Sequence, residues 1–367
     1  GISHMANETL EVHDLNRASI VGWLREESPA RLAELWARAD AVRKAHVGDA
    51  VHLRGLIEVS NHCARECGYC GLRAGNRALE RYRMTEDEVV ECAQQAKSYR
   101  YGTVVMQAGE DYGITAEWMA HIIRRVKDEV GLAVTLSLGE RTTDELKLWR
   151  EAGADRYLLR FETSDPALFR LIHPALKGRP ERSRIEILRE LQSLGYEAGS
   201  GVMVGIPGQT YETLASDIET FRGLDLDMIG IGPYISHPAT PLGEGAWHRP
   251  IDAADQVPNS ELMTYKAVAL TRLVCPEANL PSTTALATVN RAQGRELGLM
   301  RGANIVMPNL TPVKYRALYE IYPSKACINE TSDECRVCLL ARIRSIGREI
   351  GQGPGGRKRH GGTTGHE

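Results

Sequence analysis

Val51-His52-Leu53-Arg54-Gly55-Leu56-Ile57-Glu58-Val59 runs, across one serine, into Asn61-His62-Cys63-Ala64-Arg65-Glu66-Cys67-Gly68-Tyr69-Cys70-Gly71. The first half is an apolar, strand-like run. The second half puts three cysteines at the end of that strand, spaced Cys-x3-Cys-x2-Cys. Thiolates are the protein ligands of iron–sulfur clusters, and each iron takes four donors. A 4Fe–4S cube held by Cys63, Cys67 and Cys70 therefore keeps one iron open to a small molecule. Zinc is the competing reading, but a closed tetrahedral site wants a fourth ligand and usually a second cysteine pair nearby. His62 is the adjacent nitrogen, and strand alternation turns it away from Cys63. The spacing and the missing second pair favour the cluster.

The bulk properties fit a globular protein with a metal centre. A chain of 367 residues is long enough for an α/β barrel, which commonly uses about 250 residues. Hydrophobic residues make up 43% and charged residues 25%, and a formal charge of -3 gives no global attraction to nucleic acid or anionic membrane. No apolar run approaches the ~20 residues of a membrane span, and no signal-peptide pattern opens the chain. Gly1-Ile2-Ser3-His4, before Met5, reads as a cloning remnant. Eight cysteines without a secretory signal argue for metal ligation in a reducing compartment rather than disulfides. The expectation is a cytoplasmic, oxygen-sensitive protein.

Outward from the cysteine strand the chain alternates helix and short apolar strand. Residues from Leu10 to about His46, with Pro29 before the longer helix, predict an N-terminal helical cap (5–50) against the barrel bottom. Strands are expected at Thr103–Gln107, Ala133–Leu138, Arg156–Phe161, Gly199–Val204, Met228–Ile231, Leu280–Thr284 and Ala303–Met307, with amphipathic helices between them. Thr85 with Glu88 forms a capping-box start to one of those helices. Eight strands point to an α/β fold, a parallel (β/α)8 TIM-type barrel over 51–312. A six-stranded three-quarter barrel is the other arrangement, because strands seven and eight are short and Pro281 donates no hydrogen bond. Residues 313–367 follow as C-terminal helices with a further cysteine motif and a basic, glycine-rich tail. In such barrels functional residues gather where strands end. Gln107-Ala108-Gly109-Glu110-Asp111, Ser137, Arg160 with Glu162, and Gly205-Ile206-Pro207-Gly208-Gln209 all fall at those positions.

Cys63-x3-Cys67-x-Tyr69-Cys70 resembles the signature of the radical S-adenosylmethionine (SAM) enzymes, in which the open iron chelates SAM and one electron yields a 5′-deoxyadenosyl radical. Longer strings narrow the resemblance to the HydE-type maturases of FeFe-hydrogenase. Among them are Glu58-Val59-Ser60-Asn61, Arg81-Tyr82-Arg83-Met84-Thr85, Thr135-Leu136-Ser137-Leu138-Gly139-Glu140, Met203-Val204-Gly205-Ile206-Pro207-Gly208-Gln209-Thr210 and Gly230-Ile231-Gly232-Pro233. The match runs from about residue 15 to Arg359.

The resemblance implies SAM contacts for Ala108, Gly109 and Glu110 at the methionyl amino group, and for Ser137 and Glu162 at the ribose or methionyl part. It places Arg160 and Arg184 near the carboxylate and Tyr69 and the turn from Gly205 near the adenine, with Gln107, Met203 and Ile231 completing the set. It implies a cavity around an anionic small molecule, lined by Arg54, Thr135, Arg156, Thr283, Thr284 and Met307. Tyr315, Tyr319 and Tyr322 are expected on one following helix, the first two on one face. The chain has Phe161 after the strand-four arginine, where a member of the family it resembles has a histidine.

Cys327-x7-Cys335-x2-Cys338 is implied to hold a second cluster, 2Fe–2S or 4Fe–4S, with zinc or an inert trio as the other readings. Cys92 and Cys275 read as core thiols. The implied activity is radical cleavage of SAM in maturation of the di-iron subcluster, acting on an iron complex carrying carbon monoxide, cyanide and cysteine. The implied partners are a reductase or ferredoxin-type electron donor and other hydrogenase maturases, with no nucleic acid and no membrane. Methylornithine synthase and biotin synthase share the first motif, so a small amino-acid substrate or a paralogue's substrate stays open, as does a non-catalytic iron–sulfur scaffold or carrier.

Overall fold

A computed structural model describes residues 15–357; the expected cloning remnant, residues 10–14 and the end of the basic tail lie outside that range. Strands β1 (Ala50–Ser60), β2 (Thr103–Ala108), β3 (Ala133–Ser137), β4 (Arg156–Leu158), β5 (Glu197–Val204), β6 (Met228–Pro233), β7 (Ile305–Val306) and β8 (Glu349–Ile350) form one sheet. Its order is β6-β5-β4-β3-β2-β1-β7, every pair is parallel, and β8 joins the start of β1. Two parallel bridges, Met228 to Asn279 and Pro281 to Ile305, link β6 to β7 through the segment 279–281. That segment is the seventh stave, and it closes the curl into a barrel.

The expected strand at Leu280–Thr284 is therefore reduced to bridges. Asn279 donates to Asp227 and Ser282 donates to Ile305, so the N–H that Pro281 lacks falls between the two donors that the ring uses. Thr283 leaves the ladder altogether: its hydroxyl accepts from Leu286 N and caps the helix Thr284–Val289.

The outer helices follow the capping chemistry. Thr85 with Glu88 and Thr142 with Glu145 form complete capping boxes. The N-terminal helices Arg17–Arg25 and Pro29–Val47 are capped by Asn16 and Ser28. They pack on the barrel's flank, against Tyr211–Leu224 and Glu261–Val274, rather than across the barrel's end.

The N-terminal mouth is instead filled by the C-terminal segment. Pro354 O accepts from Arg156 Nη2 (2.9 Å) and Thr103 Oγ1 (3.1 Å), and Gly355 O accepts from Arg54 Nη2 (3.0 Å) and Asn279 Nδ2 (3.2 Å). Arg357 then reaches Asp225 and Asp227. Among the described residues no helix is long and apolar enough to cross a membrane.

Candidate active site

The cysteine loop leaves the C-terminal end of β1 and is pinned by backbone-directed side chains. Arg81 donates to the carbonyls of Asn61 (2.6 Å), Leu72 (2.6 Å), Arg73 (2.8 Å) and Asn76 (3.0 Å). Asn61, fully buried, accepts from Tyr82 N and donates to Glu80 O and Leu318 O. Ala64 N donates to Glu110 O, tying the loop to the end of β2. A Cβ at Gly109 would meet His62 O at 2.3 Å and Cys63 Cβ at 2.9 Å, so this close approach requires glycine.

The cysteines suit a cluster rather than a lone ion. Tetrahedral zinc, at about 2.3 Å from each sulfur, draws its thiolates within about 4 Å of one another. Among the described residues, the group of three donors lying within 4.8 Å of one another is Cys327, Glu330 and Cys335, not Cys63, Cys67 and Cys70. The first trio is held more openly, as a polynuclear centre needs. Burial pushes the Cys67 thiol up to about 12 and raises Cys63 and Cys70 as well. These groups become thiolates only when a cationic centre offsets their desolvation.

Around the loop lies a charged lattice. Arg65 spans Glu110 (2.6 Å) and Glu140 (2.8 Å), and Glu110 also accepts from Glu140 N (2.7 Å) and the Tyr112 hydroxyl. Arg184, buried at the start of the helix Arg184–Ser193, donates to Arg160 O at 2.7 Å. Arg160 in turn bonds Glu162 (3.1 Å), Gly230 O (3.1 Å) and Val202 O (2.9 Å). Glu162 sits at φ 62°, a left-handed conformation that a non-glycine residue adopts at a cost and that aims its carboxylate inward. Tyr69 OH donates to His173 Nε2 (2.9 Å), whose Nδ1 faces Phe169 O (3.2 Å). Burial holds His173 well below its usual range, so the neutral ring accepts from the phenol.

Below the loop a cavity of about 380 Å³ occupies the upper barrel. Of the positions expected to meet SAM, Tyr69, Gln107, Ala108, Gly109, Ser137, Arg160, Glu162 and Met203 line it. Glu110, Arg184 and Gly205 stand behind that wall. Ile231 faces the outer helices, because alternation on β6 turns Met228, Gly230 and Gly232 inward.

Of the expected substrate positions, Thr283, Thr284, Met307 and Tyr319 line the cavity. Arg54, Thr135 and Arg156 do not. They form a lower interior layer facing the C-terminal segment, where Arg54 Nε and Thr135 Oγ1 have no partner among the described residues. Tyr315 lies outside the barrel, stacked on Tyr82 at 4.5 Å and donating to Glu88. The helix expected to carry all three tyrosines is the single turn Val313–Arg316, so Tyr315 and Tyr319 do not share a helical face. Phe161 packs on Phe221 within the core, away from the cavity.

The tail cysteines divide. Cys335 is buried on the helix Ser332–Ser345 beside Cys327, whereas Cys338 is exposed and accepts from Arg342 Nε at 3.3 Å. A hydrogen bond from Cys335, aided by the charge of Arg295, holds the Cys327 thiol below its ordinary value; Cys335 is raised correspondingly. Cys327 and Cys335 also border the lower wall of the main cavity. Cys92 is buried against Leu310 O, and Cys275 ends the helix Glu261–Val274.

Several cavity residues escaped the sequence reading. Glu58 and Lys325 form a buried pair at 2.5 Å, and Arg295 lies on the wall. The alternation of β1, with Arg54, Leu56 and Glu58 on one face, was the available signal for Glu58. Nothing local marked Lys325 or Arg295.

The Radical SAM superfamily matches this chain over residues 57–221. The chain is 45% identical over 325 residues to the [FeFe] hydrogenase maturase subunit HydE of Thermotoga maritima, covering 89% of each. It is 28% identical to the 3-methylornithine synthase of Methanosarcina barkeri, covering 84% of this chain and 83% of that one. In fold it is similar to methylornithine synthase (TM-score 0.77, 24% identity, 95% and 97% covered). It is likewise similar to the maturase HydG of Carboxydothermus hydrogenoformans (TM-score 0.76, 16% identity, 95% and 78% covered).

Proposed function

This chain belongs to the HydE family of radical SAM enzymes, and we propose on that premise that it cleaves SAM reductively during maturation of an FeFe-hydrogenase. The observation that carries this reading is the cysteine trio at the end of β1, of which Cys63 and Cys70 line the cavity in the upper barrel. Cys63, Cys67 and Cys70 would hold a 4Fe–4S cluster, which when bound would supply the electron for reductive cleavage of SAM.

The chain's own work is to hold and to shield. Glu162 offers an acceptor to an ammonium or to ribose hydroxyls and Arg160 sets the positive end for a carboxylate, while Glu110 and Arg184 hold the loop and Arg160 in place from behind the wall. Tyr69, oriented by His173, forms one side of the adenine surroundings. Apolar wall residues such as Met203, Met228 and Met307 keep water from the radical's path. The substrate in this reading is an anionic iron complex carrying carbon monoxide, cyanide and cysteine, received between Thr283, Thr284 and Tyr319. A ferredoxin-type protein donates the electron, other maturases exchange the small-molecule product, and the reaction takes place in the cytoplasm. Cys327 and Cys335 hold an accessory iron site with no part in SAM cleavage.

The test is anaerobic. Wild type and Cys67→Ala are reconstituted with iron and sulfide, reduced with dithionite and assayed for 5′-deoxyadenosine. Product from wild type alone, increased by the iron–cysteine complex, is the expected result. A loaded wild type that releases no 5′-deoxyadenosine would overturn the reading.

A further inference from the structure

The cavity wall carries three cations against two carboxylates. Arg160 is committed to Glu162 and to two carbonyls, and Lys325 is committed to Glu58. Arg295, the second residue of the helix Gly294–Met300, is left over. It is 6% exposed, its Nη1 has no hydrogen-bond partner, and among the described residues no acidic side chain lies within ion-pair distance. Its backbone is held firmly, because Ser282 Oγ donates to Arg295 O at 2.9 Å. The titratable side chains that feel its charge are Tyr322, Cys327 and Cys335.

A buried guanidinium without an acceptor is costly unless an anion completes it. Its planar fork suits a carboxylate, which accepts two parallel N–H bonds, better than it suits a spherical ion. We propose that Arg295 is the receptor for a carboxylate of the small molecule bound in this cavity, fixing that molecule's far end while its reactive end faces the cysteine loop. The proposal rests on the cavity being the substrate chamber of the radical enzyme. It assigns recognition to a residue outside the SAM surroundings and outside the threonine pair.

S-methyl-L-cysteine, which has a free carboxylate but no thiol to attack iron, and its methyl ester serve as probes. Their binding to reconstituted, SAM-loaded protein is measured by anaerobic calorimetry for wild type, Arg295→Gln and Arg295→Lys. The wild type is expected to prefer the acid over the ester. Arg295→Gln should weaken acid binding tenfold or more and leave ester binding unmoved, and Arg295→Lys, which keeps the charge but loses the fork, should fall between. Equal acid binding by wild type and Arg295→Gln, or no preference of the wild type for the acid, overturns the proposal. Arg295→Lys keeps the comparison readable should the glutamine variant fail to fold. 5′-Deoxyadenosine is assayed in the same samples. Its absence from wild type sinks the enzymatic reading, while the acid–ester comparison judges Arg295 by itself.

Discussion

Asp217 shows how far a single side chain departs from its sequence identity. It lies buried on the helix Tyr211–Leu224, accepting from Ser164 N (2.7 Å) and Ser164 Oγ (2.5 Å), with Oδ2 unpartnered. Burial pushes its carboxyl up to about 7. The folded protein therefore binds this proton more tightly than the unfolded chain does, and stability falls as pH rises between the ordinary carboxyl value and 7. The limiting slope is about 1.4 kcal/mol per pH unit. Asp217→Asn is expected to flatten the fall in melting temperature between about pH 5 and about pH 7, read by scanning calorimetry at a series of pH values. An unchanged slope would mean that Asp217 is ionised throughout. At the same scale, the roles of Arg81 and His173 come from what they face, four carbonyls in one case and a phenol in the other. Residue type alone told neither.

Among the elements, the helix Ser332–Ser345 separates two cysteines that the motif groups together. Cys335 and Cys338 are three residues apart, yet the helix buries the first against Cys327 and turns the second to solvent beside Arg342. The donors gathered are Cys327, Glu330 and Cys335. Cys335→Ser is expected to abolish iron retained at the tail, while Cys338→Ser keeps most of it, measured as iron per chain in a background lacking Cys63, Cys67 and Cys70. Equal loss from both variants would mean that the helix re-registers to ligate through Cys338. The seventh stave makes a related point. Its two backbone donors, Asn279 and Ser282, sit on either side of Pro281, which has no N–H, and that economy is invisible to propensity.

For the whole molecule, the barrel has two differently closed ends. The cysteine loop and its charged lattice cover the C-terminal end; residues 353–357 enter the N-terminal end and give backbone carbonyls to Arg54 and Arg156. Burial, with the charge of Arg156 beside it, lowers Arg54 from its ordinary value. Truncation after Gly351 removes both carbonyls and leaves two guanidinium groups without them. A loss of about 3 kcal/mol is expected from hydrogen bonds to buried charge, seen as a melting temperature several degrees lower. An unaltered melting temperature would show that water replaces the carbonyls without cost.

The sequence by itself determined the local features. The three-cysteine spacing, the helix caps and the rhythm of apolar strands state the metal chemistry and the barrel, because each depends on residues near one another in the chain. The strand-end residues that line the cavity, Gln107, Ser137, Arg160 and Glu162 among them, were legible for the same reason, since a parallel barrel collects such positions at one mouth. Which cations reach the cavity was decided only by the tertiary structure. Arg54 and Arg156 fall below the cavity because strand register sets them near the N-terminal ends of the barrel strands, where the C-terminal segment bonds them, while Lys325 and Arg295 reach its wall from elements distant in sequence. Their environment is set by strand register and chain closure, and no local pattern of residues encodes it.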